Sequence, residues 1–389
     1  MRSKALMGNI GNVIKPRVVI LLLAILLSGC AGFAETNVLG PDGEVLTIDR
    51  RYFEAHADEM EGSDDDARLP LERALADSGY SILEQFTVEL EGGGERAFPW
   101  EQVVDEAWIL ADGRISVEGD LFDVLTIQAT THPDLARVEA SILDIAPTAA
   151  RALGIRPPVE SQGQVLDAPD VDHVLLLFLD GFGYLRYEQA KREGLIPNLA
   201  DLDDALVGLT TYPPTTTVST ASLLTGAPPT VNGVDRRGIR ITEIETLFDV
   251  ASQSGLQVKA VEGEALAFQL RGAEFELSGD RNGNGMTDDE VLQNALEVLQ
   301  EGVPDLFFVH FHGIDDAGHT YGPDTSEESE IVAFVDSAVG EILTAMPDDS
   351  LILIFADHGM HMVDEEGRFG NHEHLIPLDM LIPIIMVSK

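Results

Sequence analysis

Residues 351–361 read LILIFADHGMH, an unbroken apolar run from Leu351 to Ala356 that ends on Asp357-His358-Gly359-Met360-His361. A half-exposed strand alternates apolar and polar residues, whereas a strand covered on both faces does not. Three more stretches share this texture: HVLLLFLD at 173–180, LQVKAVEG at 256–263 and DLFFVHFH at 305–312. Helical patterns lie between them, as over Asp288 to Glu301 and Ser326 to Ala345. The alternation predicts an α/β domain with a doubly wound, mostly parallel sheet flanked by helices. In such sheets, binding sites form beyond the carboxyl ends of the strands.

Those ends carry the chemistry. The run at 173 closes on Asp180-Gly181, and the run at 305 leads into His312-Gly-Ile-Asp315-Asp316-Ala-Gly-His319. The run at 351 closes on Asp357-His358, and Gly370-Asn371-His372-Glu373-His374 precedes a last apolar strand. Seven of the ten histidines fall between His310 and His374, so imidazole is concentrated where the ends converge. One Asp-Gly after a strand is an ordinary turn; Asp or His at four ends of one sheet points to a dication such as zinc or manganese. The single cysteine, Cys30, leaves such ions to Asp, Glu, His and Thr.

A nucleophile is offered by residues 212–229, YPPTTTVSTASLLTGAPP. The prolines stop preceding structure, and a helix is expected to begin within the threonine run. A hydroxyl there is surrounded by free backbone amides that suit an arriving phosphoryl group. A threonine needs a metal to become a usable nucleophile. By itself the run Thr215-Thr216-Thr217 reads first as an N-cap and its neighbours.

Together these motifs resemble the alkaline phosphatase superfamily, and within it the type I phosphodiesterase/nucleotide pyrophosphatase branch. The shared elements are a strand ending in Asp, a threonine at fixed distance from Thr225-Gly226, Asp315-x-x-x-His319-x-x-Gly-Pro, Asp357-His358-Gly359-Met360 and a late histidine. The resemblance covers roughly Asp170 to the C-terminus. It implies two divalent ions, zinc or alternatively manganese, one held by Asp180, Thr216, Asp357 and His358 and the other by Asp315, His319 and His372. It further implies that Thr216 attacks phosphorus to give a covalent phosphothreonine that water then releases. The substrate class is a small phosphate ester, such as a nucleotide.

One position departs from that branch. Where an asparagine helps to hold the phosphoryl oxygen, this sequence has Arg237, within Asn232-Gly-Val-Asp235-Arg236-Arg237. A planar guanidinium suits the doubly charged end of a monoester, which keeps a phosphomonoesterase open. The other reading is that Arg236 and Arg237 are solvated loop charges. Sulfatases share the fold but need a Cys/Ser-x-Pro-x-Arg motif that is missing from the segment. Phosphoryl or phosphoethanolamine transferases use a similar Pro-Thr-x-Thr segment, and nothing in the sequence separates an acceptor alcohol from water. A non-catalytic metal-binding surface lipoprotein would be expected to lack the nucleophile or a ligand, and all seven positions are filled.

His310 and His312, on one face of their strand, read as groups behind the ligands, and His361 and His374 as orienting or exposed groups, with His374 the rival of His372. Asp280-Arg-Asn282-Gly-Asn284-Gly285 resembles the opening of a calcium loop, with Val291 at the twelfth position and Asp288 as the candidate closing ligand of a structural Ca²⁺. Thr287 and Glu290 alternatively form a capping box for the helix that follows.

Basic residues Arg2, Lys4, Lys15 and Arg17 precede the apolar VVILLLAILL, which is short for a membrane span and right for a signal-peptide core. Leu27-Ser28-Gly29-Cys30 resembles a bacterial lipobox, implying a signal peptide over 1–29, acylation of Cys30 and an extracytoplasmic, lipid-anchored protein of the cell envelope. Residues 30–120 are expected to form a tether and a small β-rich domain, with strand-like alternation in SILEQFTVEL, and residues 121–389 the hydrolase domain. Within the latter, ASILDIAPTAARALGIRPPVESQGQVL at 140–166 resembles the segment that normally ends such chains, which implies a circular permutation in which residues 121–166 complete the α/β sheet. With 68 acidic against 24 basic residues and a net charge of −44, the surface repels polynucleotides, so no nucleic-acid polymer is expected as a partner.

Overall fold

The computed structural model describes residues 34–62, 67–263, 266–365 and 367–389. The signal peptide and Cys30 lie outside the described residues, as does the acidic run Asp64-Asp65-Asp66. Among the described residues no helix is long and apolar enough to cross a membrane.

The α/β unit is built on an eight-stranded sheet. In chain order its strands are β1 (Ala140–Ser141), β2 (His173–Leu179), β3 (Leu206–Leu209), β4 (Val258–Gly263), β5 (Glu274–Ser278), β6 (Leu306–Phe311), β7 (Ser350–Phe355) and β8 (Leu381–Ser388). Their order across the sheet is β1-β3-β8-β7-β2-β6-β4-β5. Every adjacent pair is parallel except the two made by β8, so β8 alone runs against the others. The sheet is thus mostly parallel, as its apolar texture predicts. Every residue of β6 and β7 is buried, and β2 is buried from Val174 onward, which accounts for runs without polar interruption.

Helices fall where the periodicity places them, over Asp288–Glu301 and Ser326–Ala345. The threonine run starts a helix at Thr216 that ends at Thr225, with Gly226 in a left-handed conformation at its carboxyl end.

The N-terminal unit is β-rich. Five strands are ordered Val45–Ile48, Thr36–Leu39, Val124–Thr131, Leu83–Leu90, Glu95–Pro99, and four shorter strands form a second sheet. Strand Val124–Thr131 lies at the centre of the first sheet, so this unit continues past the boundary expected at residue 120. The reason is cross-strand pairing: Phe86 faces Ala129 and Val88 faces Ile127, all four buried. Of the segment 121–166, only the later part joins the α/β sheet, through β1 beside β3.

Candidate active site

The parallel strands deliver their acids and imidazoles to one edge of the sheet. Because β8 is antiparallel, the segment that precedes it, with His372, arrives at the same edge. Asp180, Asp357 and His358 form one group whose ligand atoms all lie within 4.8 Å of one another, and Asp315, His358 and His372 form another. Thr216 begins its helix at the rim, with Oγ1 3.4 Å from Oδ1 of Asp180 and 3.5 Å from Nε2 of His358. His319 Nε2 lies 3.3 Å from Oδ2 of Asp315, and His372 Nε2 lies 3.8 Å from its Oδ1. The seven residues named from the sequence therefore converge.

The imidazoles are pre-set. Nδ1 of His358 meets Gly359 O at 3.0 Å, that of His372 meets Pro214 O at 2.7 Å and that of His319 meets Gly370 O at 2.8 Å. A carbonyl can only accept, so each Nδ1 carries a proton and each Nε2 is the nitrogen left facing the carboxylates. Oδ1 of Asp315 and Oδ2 of Asp357 are buried without hydrogen-bond partners. Imidazole nitrogens packed beside bare carboxylate oxygens call for a proton or a metal cation between them. This donor set fits dications.

Protonation follows from the same crowding. Burial, His358 and Arg237 hold His372 well below the usual imidazole range, leaving it neutral as a ligand must be. Burial and the charge of Asp180 push Asp357 up to about 7. Burial also opposes ionisation of Asp180, but His310 and His312 overcome it and hold that carboxyl well below the ordinary range. His310, fully buried, stacks on Phe178 with ring centroids 3.8 Å apart. It bridges Oδ2 of Asp180 at 3.0 Å and Oε2 of Glu262 at 3.1 Å. Burial works against its charge, yet the two carboxylates raise it to about 10. His312 adds Nδ1 at 3.3 Å from the same Oδ2. Both histidines thus orient Asp180 from behind. Glu262 was not singled out by its sequence, although a carboxylate ending the buried strand β4 was the available signal.

Gly181 has a φ of +72°, and a Cβ there would come within 2.9 Å of Cβ of Asp315. The glycine after Asp180 is therefore what lets Asp180 and Asp315 approach.

The two late histidines separate. His374 is clasped by Glu72 and Asp105, each at 2.9 Å, in the N-terminal unit, so it does not compete with His372 as a ligand. Between them Glu373 has a φ of +108°, which turns one imidazole inward and the next outward. His361 binds Asp379 at 2.8 Å. Arg237 extends to 3.1 Å from His372 Nε2 and 2.8 Å from Glu373, at the edge of the group. Arg236 instead pairs with Asp58 and Asp235 on the surface.

Two readings of the 280–291 stretch are corrected. Asp288 cannot close a calcium loop, because its fully buried carboxylate accepts from the backbone N–H groups of His312 and Gly313 at 3.0 and 2.9 Å. Thr287 and Glu290 form no capping box: Thr287 makes no side-chain cap bond, and Glu290 accepts from Arg281 N instead.

Residues 273–384, which include β5 to β7 and the start of β8, match the family model described as type I phosphodiesterase / nucleotide pyrophosphatase. Among curated proteins, the chain is 29% identical over 80 residues to the catalytic subunit of GPI ethanolamine phosphate transferase 3 of Mus musculus, covering 21% of this chain and 7% of that one. It is 26% identical over 150 residues to phosphopentomutase of Deinococcus radiodurans, covering 37% of each. The chain thus spans well under half the length of these relatives. Among solved structures, phosphonoacetate hydrolase from Sinorhizobium meliloti 1021 in complex with phosphonoformate is 19% identical, with 52% of this chain and 60% of that chain covered and a TM-score of 0.41. The matched segment holds Asp315, His319, Asp357, His358 and His372, so the likeness to the type I phosphodiesterase / nucleotide pyrophosphatase family falls on five of the seven converging residues.

Proposed function

We propose that the protein is an exported, metal-dependent phosphoric ester hydrolase that uses Thr216 as its nucleophile. The observation that carries this reading is the partly exposed Thr216 hydroxyl at a helix N-terminus, within 3.5 Å of both Asp180 and His358. Asp180, Asp357 and His358, with Thr216, would hold one dication, and Asp315, His319 and His372 the other. Zinc fits the imidazole-rich donors best, with manganese the alternative. When bound, the dications supply neutralisation of phosphoryl charge and acidification of a neighbouring hydroxyl.

The chain's own groups do the rest. Helix amides of the Thr216 turn face the arriving phosphoryl oxygens. Thr216 Oγ1 forms a bond to phosphorus as the leaving alkoxide departs, giving a phosphothreonine; water then adds to phosphorus and frees the threonine oxygen. Arg237, beside His372, is set to clasp non-bridging oxygens, a feature that favours a terminal phosphate over a diester. A cleft of about 370 Å³ opens beside Thr215, between Tyr212 and Arg237 on one side and Arg73, Asp105 and Trp108 of the N-terminal unit on the other. This cleft would receive the alcohol part of a small phosphate ester, which gives the N-terminal unit a role as one wall of the site.

The test is a zinc- or manganese-supplemented assay of p-nitrophenyl phosphate against bis-p-nitrophenyl phosphate. Wild type is expected to turn over at least one of them, and Thr216→Ala to lose at least ~10³-fold. Arg237→Ala should lower monoester turnover more than diester turnover. Full activity in Thr216→Ala would remove the nucleophile, and inertness of wild type toward both esters would remove the hydrolase reading. We propose in addition that Cys30 is acylated and anchors the protein outside the cytoplasm. Palmitate labelling that persists in Cys30→Ser would overturn that anchor.

A further inference from the structure

A two-stranded hairpin, His361–Glu365 and Arg368–Asn371, brings a second arginine to the candidate site. Its second strand packs on helix Gly313–Tyr321, which carries Asp315 and His319. The seat is close: a Cβ on Gly370 would collide with the carbonyl oxygen of Gly318 and the sulfur of Met360. The Gly370 carbonyl then orders two side chains at once. It meets Nδ1 of His319 at 2.8 Å and accepts from Nε of Arg368 at 3.1 Å. So fixed, Arg368 places Nη2 3.3 Å from Nε2 of His319. Arg237 makes the matching approach to the neighbouring imidazole, with Nη2 3.1 Å from Nε2 of His372. The rings of His319 and His372 lie 5.1 Å apart, and both face the carboxylate of Asp315. Two guanidiniums therefore bracket one group of three residues.

In a chain with 68 acidic residues against 24 basic ones, a carboxylate is the ordinary partner of an arginine. Arg237 has one in Glu373, at 2.8 Å. Among the described side chains no carboxylate pairs with Arg368, whose hydrogen bonds run to the Gly370 carbonyl and the His319 imidazole. A guanidinium keeps its charge at any working pH. Arg368 is thus a permanent cation held against the edge of the site by the backbone, with N–H donors to spare.

We propose that Arg368 is a specificity-determining residue that, together with Arg237, clasps the terminal phosphate of a monoester. A diester phosphate offers two non-bridging oxygens and one charge, whereas a terminal phosphate offers three oxygens and about two charges. One planar fork is satisfied by either. Two forks on neighbouring imidazoles call for the third oxygen and the second charge. The clamp rests on the reading of this edge as a phosphoryl site and deepens it: the site selects a dianionic phosphate, and Arg368 is the residue that adds the second point of grip.

The experiment is calorimetric titration of the zinc-loaded chain, freed of excess zinc, in mildly alkaline buffer. The probes are inorganic phosphate and dimethyl phosphate, a singly charged diester. Wild type is expected to bind phosphate the more tightly. Arg368→Ala and Arg368→Gln should each weaken phosphate binding about tenfold or more, and dimethyl phosphate binding by less than about threefold. Zinc affinity, read by competition with a chromogenic chelator, should be unchanged in both variants. No phosphate binding by wild type in the millimolar range would overturn the clamp, as would equal phosphate affinity in wild type and both variants. So would a loss of phosphate affinity matched by an equal loss of zinc, which would make Arg368 a brace for His319. These readouts need no turnover and so separate from the hydrolase reading. A wild type that binds phosphate through Arg368 yet cleaves neither nitrophenyl ester removes the hydrolase and keeps the clamp.

Discussion

His310 holds Asp180 from behind: its Nε2 stands 3.0 Å from Oδ2, while Oδ1 of the same carboxylate faces Thr216 and His358. The carboxylate is thereby fixed in rotation with one oxygen committed and the other presented. His310→Ala leaves every proposed ligand in place, yet metal affinity is expected to fall about 10–100-fold. Competition with a chromogenic chelator reads this directly, and an unchanged affinity would show that Asp180 needs no such partner.

Gly181 offers a test of spacing rather than chemistry. Gly181→Ala forces a side chain into a left-handed conformation and against Asp315. A loss of roughly 1–3 kcal/mol in denaturant stability is expected, together with weaker metal retention. Gly233→Ala serves as the control, since its φ of +77° is similar but no atom lies within 4 Å of its Cβ. Equal losses of metal at both positions would argue against the approach of the two acids as the cause.

Removal of metal should change how stability depends on pH. Asp357 is pushed up to about 7 by burial and Asp180. His358 is also raised, since Asp357, Asp315 and Asp180 outweigh its burial. Both groups keep protons in the folded state that the unfolded chain has released, so their stabilisation is lost as pH rises. Lowered His372 acts in the opposite sense, but only as pH falls below about 6.5, its unfolded value. The chelated protein should therefore lose Tm as pH rises above 6.5, and added dication should flatten the slope by taking the protons' place. A chelated protein whose Tm rises over that window contradicts the account.

His374 joins the two units. Burial lowers it, but Glu72, Asp105 and Asp379 outweigh that and raise it to about 11. Its contribution is complete below about 6.5, falls from there and is gone as pH passes 11, so most of it remains at neutrality. His374→Ala leaves the buried Glu72 unpaired and is expected to cost roughly 3 kcal/mol at pH 7. The difference from wild type should shrink toward pH 11, as followed by denaturant titration at several pH values. A penalty independent of pH would assign the effect to packing instead.

Much of the α/β unit was legible because buried parallel strands leave an unmistakable apolar trace and helices a 3.6-residue one. The bounds of helix Asp288–Glu301 and the start within the threonine run followed from local signals. What local signals could not give was pairing at a distance. Strand Val124–Thr131 belongs to the N-terminal sheet through partners some forty residues earlier, and no periodicity reports that choice. Asp288 was misassigned for the same reason: its carboxylate serves the backbone at His312 and Gly313, an element remote in sequence. For Arg237 the sequence supports both readings, and only the fold, which sets it beside His372, separates them.

The reversed turn at Glu373 has one further consequence. Two imidazoles two residues apart are committed to different bodies, His372 to the catalytic edge and His374 to the N-terminal unit. A rigid link of that length transmits any shift of the smaller body to the larger one within a single peptide's reach. The α/β unit is therefore not a portable module. Trimming or exchanging its N-terminal neighbour should retune the reaction centre even where no substrate contact is altered, and lineages that vary one would have to vary the other in step.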